Sequence, residues 1–216
     1  MRPKTLLRAF AGLAVASALG AAAVSAQNPA HTHMGHVADG FARAPDGAGL
    51  LPTAVADAEV AAQHAGFAAR DPNNLDSMKR HMAHVLHALD PSQVEGGPGK
   101  GFGVKAAAAG IVQHIELAAG SDGATDNVKT HATHVATAAR NVERWADEAI
   151  ALAKEIQDAT DNSAADLLAE VVELTNAIVS GTDANGDGRV GWQEGEGGLA
   201  QATQHMTLMK NGEGMN

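Results

Sequence analysis

Cysteine is absent from the sequence. That single absence excludes disulfides, thiolate zinc sites, covalent haem attachment, cysteine nucleophiles and acylation of a lipoprotein cysteine. Tyrosine is absent too, and aromatic residues make up only 3% of the chain. With β-branched residues also sparse and no sustained period-two alternation, nothing argues for a sheet. Catalytic signatures are missing as well: there is no Gly-x-Ser-x-Gly and no His-Glu-x-x-His. The glycine-rich segment Gly96–Gly103 is not a phosphate-binding loop. Val94 stands where the first glycine of that motif belongs, and Gly101 follows Lys100 where Ser or Thr is required. The residues therefore point to a binding protein and not to an enzyme. Positive charge is in short supply, with 15 Lys and Arg against 25 Asp and Glu. A chain with formal charge −10 repels a phosphate backbone and attracts cations, so a nucleic-acid partner is not expected.

One long apolar run is present, at the start. Residues 1–26 carry Arg2, Lys4 and Arg8, then an Ala/Leu/Val stretch, then Val24-Ser25-Ala26, the order of a secretory signal peptide with its small-residue cleavage site. The expected location is periplasmic or secreted, with no membrane span once the signal is removed. Removal takes away three bases and no acid, so the charge of −10 becomes −13.

What the sequence has in abundance is alanine, glycine and histidine. Residues 27–50 mix Pro, Gly and His without periodicity and are expected to be a flexible segment. Residues 51–216 read as one domain of alanine-rich helices, over about 54–70, 74–89, 102–119, 127–159, 164–181 and 199–210. Asp71-Pro72, Asp90-Pro91 and Gly120 punctuate them. The expected fold is all-α, a bundle of about five to six helices. Ser163 with Asp166 offers a capping box at the entry of the fifth. Gly195, Gly197 and Gly198 should delay the last helix to about Leu199, since each costs roughly 1 kcal/mol relative to alanine in a helix interior.

Between those last two helices lies Asp183-Ala-Asn185-Gly-Asp187-Gly188-Arg189-Val190-Gly191-Trp192-Gln193-Glu194. Ca²⁺ is a hard cation that takes about 6–8 oxygens, so a loop enclosing it presents oxygens at alternate residues and closes with a bidentate carboxylate. Asp183, Asn185 and Asp187 provide the first three, Arg189 a backbone carbonyl, Gly191 a water-filled vertex and Glu194 the closing carboxylate. Gly188 stands at the sharp turn, where positive φ is inexpensive only without a Cβ. This segment alone resembles the EF-hand family. The resemblance implies one bound Ca²⁺ and an exported calcium-binding helical protein.

Eleven histidines supply the alternative, a periplasmic helical bundle that binds copper, zinc, nickel or haem through imidazoles, with calcium as structural support. His64, His114, His131, His134 and His205 fall on or beside apolar helix faces, the arrangement by which bundles build internal metal sites. His81, His84 and His87 step away from the apolar stripe of their helix at intervals of three. Neighbours in that trio can share an ion, whereas its first and last members point about 120° apart. If a transition metal is bound, His64, His131 and at least one of the others should meet, each with a carboxylate or carbonyl on its second ring nitrogen. His31, His33, Met34 and His36 form a soft-ligand tract within the expected flexible segment, and imidazole with thioether suits copper.

Overall fold

A computed structural model describes residues 28–161 and 164–215, and among them every regular element is helical. Seven α-helices follow in order: α1 Pro29–Ala38, α2 Leu50–Ala68, α3 Leu75–Leu89, α4 Val104–Ala119, α5 Asp126–Asp158, α6 Ala165–Ser180 and α7 Leu199–Gly212. A short 3-10 turn, Pro45–Gly47, connects α1 to α2. The all-α expectation is met, and α2 to α7 lie within a few residues of their sequence-based bounds. The segment 1–26 and the Ser163 cap lie outside the described residues; α6 begins without a side-chain cap at Ala164.

The seventh helix is α1, in the segment expected to be flexible. Its formation has local causes. Asn28 caps it by accepting from Ala30 N at 3.0 Å, and Pro29 occupies the first turn, where its missing N–H costs nothing. Ala30, Met34 and Val37 then recur on one face and are completely buried, so the helix is held by packing and not by propensity. Met34 is part of the core, leaving the thioether no role as a surface ligand.

Helix α5, 33 residues long, is the spine of the bundle. Thr125 caps it through Val128 N, and α3, α4, α6 and α7 all pack against it. Helix α2 packs on α3, α4 and α6, and α1 lies mainly on α4. The contact faces are rich in alanine: Ala54, Ala58, Ala61, Ala65 and Ala68 of α2 and Ala132, Ala138, Ala139, Ala146, Ala149 and Ala153 of α5 are buried. Alanine loses no rotamer entropy on folding and lets helix axes approach closely, so side chains at the edges of the seams reach across to the neighbouring helix. No helix among the described residues is long and apolar enough to cross a membrane.

Candidate metal centres

The motif His-x-x-His-Val occurs three times, as His33-Met34-Gly35-His36-Val37 on α1, His81-Met82-Ala83-His84-Val85 on α3 and His131-Ala132-Thr133-His134-Val135 on α5. In each copy the residue after the first histidine and the valine after the second are buried. Those two positions fix the helix against the core. The two histidines, one position back around the wheel, then lie half-buried at the edge of a seam, on the same side of the helix.

Across each seam stands one more histidine, always preceded by an exposed glutamine: Gln113-His114 on α4, Gln63-His64 on α2 and Gln204-His205 on α7. The residues three before and one after it are again core, as Ile111 and Ile115, Ala61 and Ala65, Ala202 and Met206. The helix pairs α1/α4, α3/α2 and α5/α7 thus each build a triad: His33, His36 and His114; His81, His84 and His64; His131, His134 and His205. In each triad three ligand nitrogens lie within 4.8 Å of one another, a spacing at which they could hold a metal ion.

The three copies agree in detail. The single histidine is the hub, and its Nδ1 faces the Nδ1 of both partners. His114 lies 3.0 Å from His33 and 3.4 Å from His36. His64 lies 3.0 Å from His81 and 3.2 Å from His84. His205 lies 3.1 Å from His131 and 3.3 Å from His134. The hub ring is tilted by 34°, 39° and 35° to the first partner and stands edge-on to the second at 75°, 73° and 68°. Such agreement among helix pairs taken from different places in the chain makes the triads three versions of one site.

An aromatic side chain holds the rings at each. Phe41 meets His36 and His114 edge-on, and Phe67 meets His64 and His81. At the third site Trp192, from the loop before α7, lies flat on His134 with ring centres 3.9 Å apart. Asn141 secures that loop: its amide donates to the carbonyls of Gln193 and Gly197, and its oxygen accepts from Gly195 N. Asp57, completely buried on α2, does the same for the loop before α4, accepting from the N–H groups of Lys100 and Gly103.

Burial and mutual repulsion favour the neutral imidazole that a metal requires. Desolvation lowers the pKa of His33, His64, His81, His114 and His134, and neighbouring triad rings lower it further. His205 is lowered most, to about 4, by desolvation and then by His134 and His131.

Two sequence-based expectations are corrected here. His64 and His131 do not meet; they belong to different triads, because α2 pairs with α3 while α5 pairs with α7. Nor does a carboxylate or carbonyl bond the outer nitrogen of the nine rings among the described residues; aromatic packing orients them. Of the remaining histidines, His87 is buried and donates from Nδ1 to the carbonyl of Val94, and His31 Nε2 pairs with Glu213 at 3.1 Å. His33 and His36 enter a site that sequence reasoning had centred elsewhere. The signal available for them was the threefold recurrence of His-x-x-His-Val and of Gln-His.

The 183–194 loop is folded about Asp183, whose carboxylate accepts from the N–H groups of Gly186, Asp187 and Gly188 at 2.9–3.0 Å. Asn185 accepts from Asp187 N and Asp187 from Arg189 N, while Gly188 has φ 83°. Glu194 lines a cleft with Thr137, Arg140, Asn141 and Arg144. The groups of three metal-ligating side chains among the described residues are the histidine triads, and none includes a carboxylate of this loop. Compared with protein-family models, curated proteins and solved structures, the chain matches none.

Proposed function

We propose that this protein is a transition-metal-binding protein that carries three ions, one on each histidine triad, and that export through residues 1–26 takes it to the periplasm or outside the cell. The observation that carries the metal reading is the repeated Nδ1 spacing of 3.0–3.4 Å. At a metal–nitrogen distance of about 2.0–2.1 Å, two nitrogens on one ion stand about 2.9 Å apart at a right angle and about 3.5 Å apart at 120°. The two hub-to-partner distances of each triad fall between those limits. Facing nitrogens this close leave no slot for a porphyrin, so a bare ion fits and haem does not.

Binding is favoured over catalysis by the surroundings. Of the clefts described, the largest, about 700 Å³, lies between α5 and α6 around Trp145 and Leu174. The next, about 570 Å³, lies around Leu51, Val55 and Met206. Neither is lined by a triad histidine. The half-buried triads open to solvent, a setting for taking up and releasing ions. Metal analysis of the loaded full-length protein should find three equivalents, and His64→Ala, His114→Ala and His205→Ala should each remove one. A single equivalent, or loss of all three in any one variant, would contradict the reading.

A second reading retains one Ca²⁺ in the 183–194 loop beside these sites. Its support is the folding of the loop about Asp183 and the oxygen spacing. Calorimetric titration should show one calcium site, with Kd about 10⁻⁵–10⁻³ M, that disappears in Glu194→Gln; an unchanged isotherm in that variant would remove it.

A further inference from the structure

The triads are unusual in their charge. Each consists of imidazoles only; no carboxylate joins a group. The neighbours that act electrostatically on the six perturbed rings include no acid either. They are other triad histidines, with Arg70 and Arg80 beside His81 and Arg43 beside His114. In a chain with 25 Asp and Glu this segregation is informative. Two of the guanidinium groups are held there by the aromatic residues of the sites: Arg43 lies over Phe41 at 5.1 Å and Arg70 over Phe67 at 4.6 Å.

A divalent ion on such a site keeps its full double charge, half-removed from water, and at the His33/His36/His114 and His64/His81/His84 sites a guanidinium stands close by as well. A carboxylate or carbonyl on the outer ring nitrogen, which commonly offsets part of that charge at imidazole sites for divalent ions, is, among the described residues, absent from these rings. A monovalent ion bears half the Coulombic penalty from the guanidinium and a much smaller desolvation cost. Among the metals that imidazole suits, copper alone has a stable monovalent state. A filled d shell lets that state accept three ligands without a fourth. Resting on the metal-site reading above, we propose that the three triads hold copper as Cu(I) in preference to divalent ions.

The test is an anaerobic competition on the full chain. The protein loaded with Zn(II) is titrated with Cu(I) supplied from its bicinchoninate complex, and both metals are followed. Displacement of Zn(II) by three equivalents of Cu(I) is expected. Retention of Zn(II) against equimolar Cu(I) would overturn the proposal while leaving three metal sites in place. Failure to bind either ion would overturn the proposal and the site reading together. Cu(II) is not a substitute probe, since it exceeds Zn(II) at almost any nitrogen site.

Arg43→Gln and Arg70→Gln provide an independent arm. Both arginines are exposed, so the variants keep the core intact. Removing one positive charge helps a dication twice as much, in free energy, as a monocation. Cu(I) affinity at the adjacent site should therefore rise on the order of two-fold and Zn(II) affinity on the order of four-fold, and both gains should shrink in high salt. Equal gains for the two ions, or none, would show that charge does not set the preference.

Discussion

The proposed metal binding needs unprotonated ring nitrogens at the triads, and burial works in that direction. His33, His64, His81, His114, His134 and His205 all have lowered pKa values, with desolvation the largest cause in every case. In the unfolded chain they titrate near 6.5. As the pH falls below that value the unfolded state binds protons that the folded state still refuses, so the stability of the metal-free protein falls with it. The full contribution is present above about 6.5 and is lost as the pH drops toward the folded values, of which His205, at about 4, is the lowest. Melting curves of the metal-free protein should therefore decline in Tm from pH 7 to pH 4. In a variant with the three hub histidines replaced by glutamine the decline should be shallower. A flat profile in the parent protein would show that the rings are not desolvated.

The helices were legible in the sequence because alanine-rich periodicity is broken so clearly by Asp-Pro and glycine. The delayed start of α7 at Leu199, after three glycines, follows from propensity alone. Helix α1 was not legible: ten residues flanked by Pro and Gly give too short a period to detect, and what stabilises it is α4, distant in sequence. The sites divide along the same line. That His81 and His84 lie on one side of α3 while His87 turns away is a property of one helix, and the structure groups the first two with His64 and leaves His87 on the Val94 carbonyl. Which ring completes each pair is a property of two helices, separated by 17 to 81 residues, and periodicity carries no information about it. A comparison of the three His-x-x-His-Val segments with one another would have shown three equivalent half-sites, though not their partners.

Each triad ties together two helices, and the molecule as a whole should respond to metal as to a set of reversible cross-links. An ion bound only by the folded state adds about 2.7 kcal/mol when its free concentration is a hundred times Kd. Three independent sites then contribute about 8 kcal/mol, which for a domain of this size corresponds to a rise in Tm on the order of 15–30 °C. The three contributions should not be equal. His114 and His205 lie 78 and 71 residues from the nearer members of their pairs, whereas His64 lies only 17 from His81. Closing the shorter loop in the unfolded chain costs less by about 1 kcal/mol, so the unfolded state retains more affinity at the second site, and any such binding subtracts from the stabilisation. In metal-saturated protein, His114→Ala and His205→Ala should therefore each lose more of the metal-dependent rise in Tm than His64→Ala, by roughly 2–4 °C. Calorimetric scans of the three variants, each with metal and with chelator, measure that difference directly. Equal losses would show that the unfolded chain binds no metal at the second site, and a greater loss in His64→Ala would contradict the loop-closure argument.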